Sequence, residues 1–374
     1  MTATLHRWTS TPLGADVDAS LQRLASAGRA AHIAVMPDAH LAHDVCVGTV
    51  LATRGRIYPA AVGGDIGCGM AAIAFNADAS ILDGEIAAAR VLSALYSTIP
   101  CLKHRAARPL AAALADAQLS DPTLERRRAR EGRFQLGTLG RGNHFLEFQR
   151  DDEERLWLMV HSGSRSMGVA IRDHHLHAAT TDGASGLLFL DVDSDEGRAY
   201  LCDHEWALAY AEANRKELVR RAVAVVADVL DASADAETFF ACHHNHVRRE
   251  THAGEPLLVH RKGAISARQG EAGIIPGSMG VASYHTSGRG CAAALNSSSH
   301  GAGRAMSRTE ARRRIPLRTF RRQMQGVWYD HRRERHLLDE APGAYRDIAA
   351  VMRAQRELTR IDRRLRPVLS FKGT

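Results

Sequence analysis

The sequence contains no CxxC pair, and its six cysteines, at 46, 68, 101, 202, 242 and 291, are scattered. That excludes a zinc knuckle and a paired redox thiol, and reads as reduced thiols in a cytoplasmic compartment. No run of about 18 apolar residues occurs, so no membrane-spanning helix is expected. Residues 1–16 lack a basic start followed by an apolar stretch, so a secreted protein is not expected. Repeats, low-complexity linkers and a compositional break are also missing. Glycine-rich stretches are present, but none ends in the lysine–serine pair of a phosphate-binding P-loop. Lysine is nearly absent, with four against 45 arginines.

What is present is positive charge and histidine. The net charge is +7 over 374 residues, which suits a polyanionic partner such as nucleic acid. Residues 304–335 hold eleven arginines against Glu310, Asp330 and Glu334. That stretch reads as a phosphate-facing surface, with a solvated helix face as the alternative. Twenty histidines are well above ordinary usage, and several directly follow apolar runs.

Four apolar runs end in polar turns and read as buried strands. They are "HIAVMPDAH" (32–40), "YPAAVGGDIGCGM" (58–70), "RLWLMVHSGSR" (155–165) and "EPLLVHRKG" (255–263). They deliver Asp38 and His40, Asp65 and Cys68, His161, and His260 to their ends. Helices are expected over 81–99, 200–232 and 344–365, which are rich in Ala, Leu and charged residues. The pattern is an α/β fold with sites on loops at strand ends.

"GGDIGCGM" (63–70) sets a carboxylate and a thiol three residues apart among glycines, so Asp65 and Cys68 could share one metal. A turn-capping aspartate beside a buried structural cysteine explains the stretch equally well. "LGTLGRGNHFLEF" (136–148) offers Asn143, His144 and Glu147 to a base, a ribose or a metal. "VHSGSR" (160–165) adds His161 with Ser162, Ser164 and Arg165 as an oxyanion cradle, and "CHHNH" (242–246) adds a histidine tract. "IPGSMGVASYH" (275–285) and "SSSHGAGRAMSR" (297–308) read as phosphate-handling loops, the second carrying His300.

Taken together, "MPDAH", "GGDIGCGM", "GTLGRGNHFLEF", "VHSGSR", "VHRKGA", "IPGSMGVASY", "HGAGRAMSR", "DEAPGAY" and the final "FKG" resemble the RtcB-type RNA ligases. The resemblance runs in family order from Met36 to Gly373. It implies an RtcB-like α/β fold, with central β-sheets flanked by helices, and one catalytic domain over 1–374. It implies two Mn²⁺ ions bridged by Cys68, one also held by Asp65 and His144, the other by His161 and His244. A shared thiolate lowers repulsion between two cations, and histidine with carboxylate suits Mn²⁺ or its first-row neighbours.

The same resemblance makes His300 the nucleophile that takes GMP from GTP. It assigns the GMP pocket to Asn143, Phe145, Glu147, Asn245, Pro276, Gly277, Ser278, Met279, Ser283, Tyr345 and Lys372. Gly301, Ala302 and Gly303 complete the loop around the phosphates, the two glycines leaving it room to close on them. The implied reaction opens a 2′,3′-cyclic phosphate to a 3′-phosphate, activates that end with GMP, and joins it to a 5′-hydroxyl end. A metal-dependent phosphodiesterase that opens cyclic phosphates without joining ends is the alternative, and a noncatalytic RNA-binding module is a third reading. Three features depart from the family pattern: Gly67 stands where Asn usually precedes the cysteine, His243 adjoins His244, and His285 occupies an apolar position. The chain resembles a compact branch, some members of which are associated with a release-factor-like protein and RNA repair.

Overall fold

A computed structural model describes residues 3–9 and 12–373. Its largest sheet has seven antiparallel strands, in the order Ala234–His243, Gly69–Asp78, Arg155–Ser162, Phe145–Arg150, Thr359–Lys372, Ser283–Gly288 and Ala272–Ile275. The second sheet has five strands, in the order Thr4–Arg7, Ala30–His40, Val47–Thr53, Glu255–Lys262 and Asn245–His252. Only its first pair is parallel. The α/β expectation with helices flanking central sheets holds.

The period-two alternation of a strand decides which side chains reach the site. In the seven-stranded sheet Ala71, Phe75, Leu146, Phe148, Leu158, Val160 and Phe371 share one core. The helix Asp195–Leu230 covers them with Leu218, Ala222 and Val226, and the helix Glu85–Thr98 adds Val91 and Leu95. Residues in between, Met70, Phe145, Glu147, Met159, His161 and Lys372, line a cleft instead.

The long helix begins at Ser194, whose side chain accepts from Gly197 N, and ends at left-handed Asp231. Two of its fully buried polar residues, Asn214 and Arg215, reach the loops of the site. Asn214 Oδ1 accepts from Gly137 N at 2.7 Å, and its Nδ2 donates to Ser162 Oγ at 2.9 Å. Arg215 donates to the oxygens of Gly67 and Ser162 at 2.8 and 2.9 Å. The helix therefore fixes the loops flanking Cys68 and His161 as well as the core.

Three expectations are corrected. The run at 58–62 is not a strand: Pro59–Ala61 forms a 3-10 turn, since Pro59 fixes φ and suits a helical start. The helix expected over 344–365 stops early. Only Ile348–Ala354 is helical, and Thr359–Lys372 is a strand between Phe145–Arg150 and Ser283–Gly288. The gap between those partners outweighs the helix-favouring Arg and Leu residues, as tertiary context overrides propensity. The helix expected at 81–99 is a 3-10 turn over Ala79–Leu82 followed by Glu85–Thr98.

Candidate active site

The cleft encloses roughly 320 Å³ and is lined by every residue named above for metal, nucleotide and nucleophile except His144. His144 lies just behind the wall, where its Nε2 is 3.1 Å from Asp65 Oδ2 and 3.5 Å from Cys68 Sγ. On the other side of the same sulfur, His161 Nε2 is 3.3 Å away and lies 3.4 Å from His244 Nε2. Cys68 thus touches two groups, Asp65 with His144 and His161 with His244.

The tautomers show what this cluster can hold. His144 Nδ1 donates to Leu139 O and His161 Nδ1 to Asn143 O, both at 3.0 Å. A carbonyl oxygen only accepts, so both Nε2 atoms carry lone pairs. A sulfur, imidazole nitrogens and a carboxylate oxygen then converge as acceptors. One thiol proton satisfies one such contact, not all of them. The ligand atoms of Cys68, His144 and His161 lie within 4.8 Å of one another, and backbone carbonyls orient two of the rings, as in metal sites generally. The residues fit one or two divalent cations.

Burial drives the charge states. It holds His161 and His244 well below the usual imidazole range, so both rings are neutral, as a cation would require. Burial, then the Asp65 charge, pushes the Cys68 thiol well up. Burial also opposes ionisation of Asp65, but its neighbours His144 and then Arg165 outweigh it and hold the carboxyl below its usual range.

Gly67, the departure before the cysteine, has φ +74°, and a Cβ there would lie 2.9 Å from Ala211 Cβ on the long helix. Left-handed backbone suits Gly or Asn, and the close helix favours Gly here.

His300 follows the short strand Ser297–Ser299, and its ring centroid is 4.8 Å from that of His244. Its Nδ1 lies 2.7 Å from Asp38 Oδ2. Asp38 is fully buried, and its Oδ1 has no hydrogen-bond partner. The expected room for phosphates at Gly303 is used differently. Its φ is +72°, and a Cβ would sit 2.4 Å from Asp38 O, so this glycine lets the His300 loop close on Asp38.

At the far end Lys372 Nζ pairs with Glu340 Oε2, which also accepts from Tyr345 OH at 2.8 Å. Glu147 is buried nearby and accepts from Gln149 at 2.8 Å. Burial pushes its carboxyl up to about 8. Ser278 Oγ is buried without a partner, whereas Ser283 Oγ accepts from Gly277 N at 3.2 Å. Asn245 Oδ1 accepts from Gly263 N at 2.9 Å.

Other expected roles are redirected. Ser164 donates to Asp65 through its N at 3.0 Å, Ser162 Oγ donates to Leu139 O, and Arg165 lies 3.2 Å from His144 Nδ1. These residues brace Asp65, His144 and the Leu139 carbonyl instead of forming an oxyanion cradle. His260 is fully buried in its strand, where Nε2 accepts from Tyr58 N, so it does not reach the cleft. His243 lies against Gly67 O and Arg215, leaving His244 and Asn245 to the cleft. Sequence reasoning gave no role to Glu340 and placed Arg304 and Arg308 only in a general phosphate-facing stretch, yet all three line the cleft. The acidic and basic residues of "DEAPGAY" and "HGAGRAMSR" were the available signal.

A family model described as tRNA-splicing ligase RtcB matches residues 20–119 and 107–373. The chain belongs to the RtcB family. An RNA-splicing ligase RtcB1 of Escherichia coli is 37% identical over 371 residues, covering 91% of this chain and 90% of that protein. The RNA-splicing ligase RtcB of Escherichia coli K12 is 36% identical over the same shares. A tRNA-splicing ligase RtcB from Thermococcus kodakarensis is 28% identical over 421 residues, 91% of this chain and 87% of that protein. The family match thus covers every loop of the cleft and every strand of the two large sheets except Thr4–Arg7. Among the described residues no helix is long and apolar enough to cross a membrane.

Proposed function

We propose that this RtcB-family chain is an RNA ligase, acting through residues 1–374 as one catalytic unit. It joins 3′-phosphate or 2′,3′-cyclic phosphate ends to 5′-hydroxyl ends with GTP. The observation that carries this reading is the pairing, within one cleft, of a Cys68-centred ligand cluster with an aspartate-braced histidine.

Asp38 accepts a hydrogen bond from the Nδ1–H of His300, so the lone pair sits on Nε2, the atom that attacks the α-phosphorus of GTP. The N–P bond forms, pyrophosphate leaves, and the ring becomes cationic. The buried Asp38 carboxylate then stands against that charge, as in other histidine–aspartate pairs. The guanine lies at the Glu147, Tyr345 and Lys372 end, and Phe145 and Asn143 flank it. The RNA 3′-phosphate next displaces His300 from the GMP phosphorus. Attack by the 5′-hydroxyl on the activated 3′-phosphate seals the strand and releases GMP.

Asp65, Cys68 and His144 would hold one manganese ion, and Cys68, His161 and His244 the other. Such ions supply charge neutralisation at the phosphates.

Joining of a 3′-phosphate RNA to a 5′-hydroxyl RNA, with GTP and Mn²⁺, tests the reading. Product that appears only when both are present supports it. Opening of cyclic phosphates without joining would return the phosphodiesterase reading.

A further inference from the structure

Asp38 holds two imidazoles at once. Its carboxylate accepts from His300, and its main-chain oxygen accepts from His40 Nδ1 at 2.8 Å. Since a carbonyl oxygen only accepts, the His40 proton sits on Nδ1 and Nε2 carries a lone pair. No hydrogen bond engages that Nε2 among the described residues, and His40 lines the cleft.

The chain is built rigidly around it. Strand Ala30–His40 slips register against Val47–Thr53, with Val35 opposite Thr49 and His40 opposite Val47. Residues 36–39 therefore bulge. Arg346 pins the bulge by donating to Pro37 O at 2.7 Å and Ala39 O at 2.5 Å. Gly48 closes on it from the other side, where a Cβ would lie 2.7 Å from Ala39 Cα.

His40 also stands apart from the other bases of the cleft. His161 and His244 turn Nε2 toward each other, and Asp65 is engaged by Ser164 and His144. Lys262 donates to His43 O at 3.2 Å. Burial, with the His300 and Arg346 charges, outweighs the Asp38 contributions and holds the His40 conjugate acid down to about 4. The ring is therefore neutral at neutral pH, and its unengaged Nε2 lone pair faces the cleft.

We propose that His40 is the general base that takes the proton from the 5′-hydroxyl in the sealing step. This rests on the reading that the cleft joins RNA ends through a GMP-activated 3′-phosphate. In this step the 5′-oxygen bonds to the 3′-phosphorus. The bond from that phosphorus to the bridging oxygen of GMP breaks, and GMP leaves with the electron pair. The hydroxyl proton moves to His40 Nε2 and passes to solvent on product release.

The test is single-turnover sealing of an RNA whose 3′ end already carries GMP, with a 5′-hydroxyl partner and Mn²⁺. His40→Asn keeps an amide N–H where Nδ1 stood and removes the base. Labelling of His300 by GTP and transfer to a 3′-phosphate should stay within about threefold of wild type and report an intact fold. Sealing should slow by about 100-fold or more, the usual effect of losing a general base, so activated RNA accumulates. Sealing at the wild-type rate by His40→Asn would overturn the inference alone. Parallel loss of labelling and sealing would also overturn it, making His40 a structural brace of Asp38. Failure of the wild-type protein to seal the pre-activated RNA would contradict the functional reading beneath it.

Discussion

Asp38 Oδ2 lies 2.7 Å from Nδ1 of His300, across 262 residues of sequence. One carboxylate, without a partner on its second oxygen, sets the tautomer of the histidine facing the ligand cluster. Asp38→Asn can offer an amide proton to Nδ1 and so favour the opposite tautomer. Covalent labelling by GTP should fall by about 100-fold or more while GTP and metal binding persist. Equal labelling rates in a single-turnover assay would remove Asp38 from the mechanism.

Gly303 supports the same contact. Alanine there meets both a φ of +72° and the Asp38 carbonyl at 2.4 Å. Gly303→Ala should displace Asp38 and lower labelling by GTP with little change at the Cys68 cluster. Unaltered labelling with the variant folded would mean that the loop absorbs the methyl group elsewhere.

Glu147 gives a proton-linked prediction. In the free protein burial raises its carboxyl to about 8, so it is protonated at neutral pH. The sign for stability follows: the fold is favoured while Glu147 stays protonated, and that contribution fades as pH rises from about 4.5 to about 8. Guanine presents N–H donors, which favour the carboxylate. GTP binding at pH 7 should therefore release about one proton from Glu147. Calorimetry in buffers of different ionisation enthalpy measures this, and Glu147→Gln should abolish the release. The same release from the Gln variant would place the proton elsewhere.

His285 tests stability away from the cleft. It is buried against Trp157 and Phe240, and neither ring nitrogen has a partner. Burial pushes it down to about 3, so its contribution to stability is lost as pH falls from about 6.5 toward 3. His285→Leu should flatten that acid-side loss and raise stability at neutral pH by about 1–2 kcal/mol, because two unsatisfied buried groups disappear. Denaturant melts at pH 7 and 4.5 measure both effects.

The arginine-rich stretch divides into two populations. Arg308 and Arg312 pair with Asp339, and Arg321 pairs with buried Glu334. Arg313, Arg318 and Arg322 have no such partner among the described residues. Replacing those three with glutamine should weaken RNA binding and flatten its salt dependence by up to about three counterions. Arg321→Gln should instead lower stability, since it takes the guanidinium from a buried carboxylate and leaves it only Tyr329 and His331. An unchanged salt slope in the triple variant would return the stretch to a solvated helix face.

Much of the site was legible because its residues sit at the ends of apolar runs or in glycine-rich turns. His161 follows such a run, and Asp65, Cys68 and His144 lie in such turns, whereas the same reasoning put forward His260, which is buried in its strand. The strand Thr359–Lys372 was hidden because its partners lie far away in sequence and its own composition favours helix. Asn214 and Arg215 were hidden inside a helix whose pattern suggested only packing and solvent faces. Periodicity cannot reveal that two polar residues bond loops at 67, 137 and 162. Glu340 was overlooked because its partner Lys372 reaches it only through the fold.

The central claim is a phosphoramidate between GMP and His300. Protein incubated with α-labelled GTP and Mn²⁺ is digested, and the labelled peptide is mapped. The account predicts acid-labile label on His300, none on His300→Ala, and near-normal metal content in that variant. Label that persists on His300→Ala, or wild-type protein that joins RNA ends without ever carrying GMP, would contradict it.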